Sequence, residues 1–166
     1  QQEFGKPMDE IARDLWPNLN TSERDILISY CCTEEQIELE KCSLDITYPD
    51  VVETIKDLYP YENFFIVSNC QDGYIELTLK KTGLEPYIKD FECCGRTGKS
   101  KSENILMLCS RNGLQSPVYI GDTDGDAEAC RQAGIPFIWA SYGFGRTRHY
   151  IEELKKFSDL KRLIRK

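Results

Sequence analysis

The chain has 166 residues, 40% hydrophobic and 30% charged, with 28 acidic against 21 basic residues, a net charge of −7 and a pI near 4.9. This is enough apolar material for one buried core and a small appendage. The acidic balance argues against a nucleic-acid groove or an anionic membrane surface as partner. No run approaches the roughly eighteen apolar residues of a membrane span, and no basic stretch followed by an apolar one opens the chain, so a cytoplasmic protein is expected. The eight cysteines include the adjacent pairs Cys31-Cys32 and Cys93-Cys94 and form no C-x-x-C, a pattern that points to reduced, partly buried thiols.

From Phe4 to about Cys42 the apolar residues Ile11, Leu15, Ile26, Leu27, Tyr30 and Ile37 recur at helical spacing around the breaker Trp16-Pro17-Asn18, which predicts two helices. From Ile46 onward short apolar runs alternate with helical periods, the mark of a parallel α/β sheet. A helix from Asp50 to Tyr59 leads to a strand at Phe64-Phe65-Ile66-Val67, and a helix from Asp72 to Lys81 stops at Gly83. A weaker strand follows at Phe91 to Cys94. Ser100-Lys101-Ser102-Glu103 reads as a capping box opening a helix that ends at Gly113. A strand from Pro117 to Gly121, a helix from Gly125 to Ala133 closed by Gly134, and a strand from Phe137 to Ala140 complete four strands. The basic tail from Lys155 to Lys166 alternates with apolar residues as an amphipathic helix would.

Chemistry concentrates where the third strand ends, at Gly121-Asp122-Thr123-Asp124-Gly125-Asp126. Two carboxylates about 5 Å apart repel by roughly 3 kcal/mol at an effective dielectric of about 20, so such a cluster is expected to hold a cation, read here as Mg²⁺. Ligands of open α/β sheets bind beyond the carboxyl ends of the strands. Ser68-Asn69 and Lys101 fall at two further such ends, where a hydroxyl, helix-opening amides and an ammonium can hold a phosphate. Gly98-Lys99-Ser100 is not a P-loop, because Cys93 stands where that pattern needs glycine. Nor is Asp122-x-Asp124-x-Asp126 an EF-hand, since Ala127 and Ala133 replace its glycine and its glutamate.

Taken with FFIVSNCQDGYIE, GRTGKSKSENI, VYIGDTDGDAEAC and AGIPFIWASYGFG, these residues resemble the haloacid dehalogenase superfamily, most closely its phosphoglycolate-phosphatase-like branch. The resemblance implies a Rossmann-like parallel sheet with helices on both faces (residues 46–166) and a partial helical cap (residues 1–45). It further implies Mg²⁺-dependent hydrolysis of a small phosphorylated metabolite through an aspartyl-phosphate. Ser68 and Asn69 would then bind phosphate, Lys101 would steady the phosphoryl group, and Asp122 and Asp126 would hold the metal, with the part of Asp124 left open. Lys99 is the competitor of Lys101. Gly5-Lys6-Pro7 resembles a substrate-facing cap loop, which makes Lys6 a candidate contact, though a helix start with proline in its first turn accounts for it equally well.

One departure stands out. The family's first motif, a strand ending in D-x-D that supplies nucleophile and general acid, has no counterpart near the start, and the D-x-D spacings all fall within Asp122 to Asp126. The resemblance places that strand between those carrying Ser68 and Asp122. The expectation is therefore a gap in the sheet, left by truncation or filled by another segment or chain, and a chain without turnover. A non-catalytic phosphate-binding or interaction module is the alternative, and on either reading a monomer or homodimer is expected.

Overall fold

The computed structural model describes residues 5–164. Helix α1 (Met8–Leu15) buries only Ala12, and α2 (Thr21–Lys41) opens on a reciprocal cap in which Asn20 Oδ1 accepts from the Glu23 amide at 3.0 Å and Glu23 accepts from the Asn20 amide at 2.9 Å. None of the 21 residues of α2 is buried. Polar contacts anchor it: Gln36 donates to the Asp72 carbonyl at 2.8 Å, and Lys81 donates to the Cys42 carbonyl at 2.6 Å just past its end. The expected helical start at Phe4 lies outside the described residues.

Beyond Ile46 the chain alternates as its periodicity predicts. In order come α3 (Val51–Leu58), β1 (Phe64–Ser68), α4 (Tyr74–Thr82), β2 (Ile88–Cys93), the short α5 (Cys94–Thr97), α6 (Lys101–Arg111), β3 (Tyr119–Gly121), α7 (Asp124–Ala133), β4 (Phe137–Ala140), β5 (Glu152–Leu154) and α8 (Leu160–Ile164). All strand pairs are parallel. Side chains alternate across the strands. Phe65, Val67, Tyr119 and Phe137 meet Ile105 and Leu108 of α6 and Ala127 and Cys130 of α7, whereas Phe64, Ile66, Ile120 and Ile138 meet α3, α4 and α8.

Three elements depart from expectation. The second strand starts at Ile88, three residues early, and Cys94 already belongs to α5. The strand β5 carries Glu152-Glu153, the charged signature of a sheet edge, and lacked the apolar run that would announce it. In the basic tail, Lys155 and Lys156 precede a 3₁₀ turn and a five-residue helix, far shorter than the helix expected, with residues 165–166 outside the description.

The sheet is divided. Strands β1 and β2 form one piece and β3, β4 and β5 another, with no backbone ladder joining β1 to β3. Between them lies a cavity of about 870 Å³ lined by both bare strands. The Tyr119 hydroxyl crosses it to donate to the Val67 carbonyl at 2.8 Å. No residue of β3 is fully buried, unusual for a strand inside an α/β sheet.

Candidate active site

Strand β3 ends at Gly121, and the next residue to cap a helix is Thr123. Its hydroxyl accepts from the Asp126 amide at 3.1 Å and donates to Asp126 Oδ2 at 2.8 Å, while the amides of Thr123 and Asp122 reach the same oxygen at 3.1 and 3.2 Å. The other oxygen, Oδ1, accepts from the Lys101 ammonium at the start of α6. Both partners are enclosed, with side chains 12% and 6% exposed. Burial would push the Asp126 carboxyl up, but the charge of Lys101 and the hydrogen bonds from Lys101 and Thr123 outweigh it and hold the group below the usual carboxylate range. Burial would likewise push Lys101 down, yet Tyr119 and Asp126 around it hold its ammonium above an ordinary lysine. The ammonium also lies over the Tyr119 ring, 5.9 Å from its centroid.

Asp122 points elsewhere. Its Oδ2 accepts from the Phe144 amide at 2.7 Å, its carbonyl accepts from Trp139 Nε1 at 3.2 Å, and the residue lines the cavity between the half-sheets. Glycine at 143 is required by the packing, since a Cβ there would lie 2.4 Å from the Asp122 Cβ. Aromatic rings of Tyr48, Tyr142 and Phe144 gather at this end, and the Tyr142 phenol is pushed up to about 12 by burial, with Tyr48 and Asp122 adding to the effect. Exposed Asp124 accepts from the buried Thr147 hydroxyl at 2.8 Å.

Among the described residues, no three His, Cys, Asp or Glu side chains converge on one point. Mg²⁺ asks less of a protein than that, since one or two carboxylates suffice when water and substrate oxygens complete its octahedron. Asp122 suits that demand, being an oxygen donor with a face toward the cavity. Asp126 stands close behind, its own oxygens engaged by Lys101 and Thr123.

At the end of β1, Ser68 Oγ accepts from the Cys70 amide at 3.2 Å in a local turn. Asn69 Nδ2 donates to the Gly5 carbonyl at 2.6 Å, leaving Asn69 Oδ1 buried with no partner. Gly5, at φ +85°, also lies against Thr123: a Cβ there would be 3.1 Å from Thr123 Cγ2. The segment before α1 therefore touches the loops after both β1 and β3. Lys6 pairs with Asp14 at 2.5 Å. Lys99 is exposed, and it is Lys101 that meets the acidic loop. The Cys70 thiol, pushed up to about 11 mainly by burial, is a packed group with little thiolate at neutral pH.

Sequence reasoning passed over four participants. The Thr123-x-x-Asp126 spacing is a legible capping box, whereas Tyr119, Gly143 and Thr147 are placed by long-range packing that no local pattern announces.

Ser68 at the end of β1, and Asp122, Asp124 and the enclosed Lys101–Asp126 pair beyond the end of β3, make this a parallel α/β protein with polar residues at the carboxyl ends of its strands. Comparison with known proteins names the group: the haloacid dehalogenase-like hydrolase family matches residues 1–140, and the chain belongs to it. No curated protein matches the chain. Among solved structures, a Bacteroides fragilis protein described as a haloacid dehalogenase-like hydrolase is 19% identical with a TM-score of 0.84, over 96% of this chain and 80% of that one. A Clostridium acetobutylicum protein described as a phosphatase is 16% identical with a TM-score of 0.84, over 99% and 80%. The HAD-hydrolase YfnB from Bacillus subtilis, bound to magnesium, is 18% identical with a TM-score of 0.71, over 95% and 80%. At these identities the solved structures establish the fold. No helix among the described residues is long and apolar enough to cross a membrane.

Proposed function

We propose that this chain carries the phosphate-holding half of a Mg²⁺-dependent phosphomonoesterase acting on a small, phosphoglycolate-like metabolite in the cytoplasm. The observation that carries this reading is the enclosed Lys101 ammonium, clamped by Asp126 where the strands end. A buried fixed cation beside helix-opening amides stabilises a phosphoryl group without reorganising during reaction. Ser68 and the Asn69 amide would hold phosphate oxygens, Lys101 would neutralise charge on the transferring group, and Asp126 would keep Lys101 protonated and aimed. Lys6, beside the Gly5 bridge and paired with Asp14, would be the contact of the helical segment with substrate. Asp122 would hold Mg²⁺, with Asp126 as the negative charge behind it, and the ion would supply charge neutralisation at the phosphate. Eight free thiols accord with a reducing compartment.

The aspartyl-phosphate route needs a nucleophilic aspartate, and among the described residues the aspartates of the acidic loop are already engaged, Asp122 by the Phe144 amide, Asp124 by Thr147 and Asp126 by Lys101. Uncatalysed phosphate-ester hydrolysis is so slow that a chain without the nucleophile has no measurable turnover. The test is a panel of phosphomonoesters with Mg²⁺ and a phosphate-release assay on the 166-residue chain, beside calorimetry with inorganic phosphate. Phosphate binding that Lys101→Ala removes, without turnover, is expected. Turnover that Asp122→Asn abolishes would overturn the half-site reading. The engagement of both Asp126 oxygens favours a second reading, a phosphate-binding module without catalysis, which predicts the same binding with no effect of Mg²⁺ upon it.

A further inference from the structure

We infer that Arg146 and Arg148 form a second anion subsite beside the acidic loop, which takes the carboxylate of a substrate whose phosphate is held at Lys101. The inference rests on the phosphatase reading and adds to it the residues that would choose among phosphate esters. Its ground is how the segment after β4 lies on the loop. Two glycines bring it close: a Cβ at Gly143 would be 2.4 Å from the Asp122 Cβ, and one at Gly145 would be 2.7 Å from the Asp122 carbonyl oxygen and 2.8 Å from the Thr123 Cα. The Phe144 amide donates to Asp122 Oδ2 at 2.7 Å, and the Thr147 hydroxyl donates to Asp124 at 2.8 Å. The segment is thus fixed to three successive residues, Asp122, Thr123 and Asp124.

Contacts alternate along this segment. Gly143, Gly145 and Thr147 meet the loop, while Arg146 and Arg148 between and after them are exposed. The loop beneath leads to the phosphate-holding group, since Thr123 bonds Asp126 and Asp126 bonds Lys101. Neither arginine has a hydrogen bond or an ion pair among the described residues. Elsewhere on this acidic chain Arg13, Arg96, Arg111 and Arg131 each hold a carboxylate. The three carboxylates of α7 are engaged by other groups: Asp124 by Thr147, Asp126 by Lys101, and Glu128 by Arg131 and Gln132. Two guanidiniums are therefore left for a ligand. Their planar fork of donors matches a carboxylate, which they can hold through paired hydrogen bonds. The substrate class this defines is a phosphomonoester that also carries a carboxylate.

Calorimetry on the 166-residue chain tests this with two probes, phosphoglycolate and ethyl phosphate, which carries a methyl where the carboxylate stands. Exposed ion pairs contribute modestly, so the wild type is expected to bind phosphoglycolate about fivefold more tightly than ethyl phosphate, and about 0.5 M salt should shrink that preference. Arg146→Gln and Arg148→Gln should each reduce it and together abolish it, with ethyl phosphate binding changed less than about twofold. Arg162→Gln is the control for net charge: it lies on α8, where the neighbouring Lys161 pairs with Asp57 in the last turn of α3, before β1 begins. It should keep the full preference. Equal binding of the two esters by the wild type, a preference that survives the double variant, or an equal loss with Arg162→Gln overturns the subsite and leaves the phosphate reading standing. Binding of neither ester overturns both.

Discussion

Lys101 and Asp126 hold each other inside a site that would tolerate neither alone. Removing one charge of a buried pair strands the other, at a cost of about 3–5 kcal/mol, so Lys101→Met should lower the midpoint of urea unfolding by that equivalent. The pH dependence has a definite sign. Asp126 is depressed in the folded chain, so its contribution is complete above the unfolded carboxylate value of about 3.9 and is lost as pH falls through the lower folded value. Lys101 is raised, so its share persists below about 10.4 and fades as pH climbs through the higher folded value. The gap in thermal midpoint between wild type and Asp126→Asn should therefore be flat near neutrality and shrink as pH falls below about 4. Charge type and spacing made these residues visible in the sequence. Their partition was not visible: Asp126 serves the lysine, Asp122 turns to the Phe144 amide, and Asp124 turns to Thr147, because the loop's own amides and distant residues decide which oxygen is free.

Among the elements, α3 stitches the divided sheet. Leu58 is wholly buried and packs with Phe64 of β1 and Ile138 of β4, so one side chain ties both halves. Leu58→Ala should cost about 2–5 kcal/mol in chemical denaturation. The cap of α6 is smaller in effect: Ser100→Ala, which loses acceptance from the Glu103 amide, should cost about 1 kcal/mol. Helix α2 buries nothing and should exchange its amides by local opening, well before α6 does. The helices and strands with strong periodicity or clear caps, α6 and α7 above all, were legible. The strand β5 was not, since a three-residue edge carrying two glutamates looks like a loop until β4 pairs with it.

For the whole molecule, a ligand that binds only the folded chain raises its stability by mass action, about 2.7 kcal/mol at a hundredfold excess over its dissociation constant. Inorganic phosphate with Mg²⁺ should raise the thermal midpoint, and Asp122→Asn should erase the increment that depends on Mg²⁺ while sparing the increment from phosphate alone. Gly5 bears on how the parts move together. Its carbonyl holds Asn69 and it lies against Thr123, so one residue at the start of the helical hairpin touches the loops at the ends of both half-sheets, beside the anchors that Gln36 and Lys81 provide along α2. Lifting the hairpin and loosening the two loops are then a single mechanical event, and spin labels placed on α1 and beside Asn69 should separate in one concerted step.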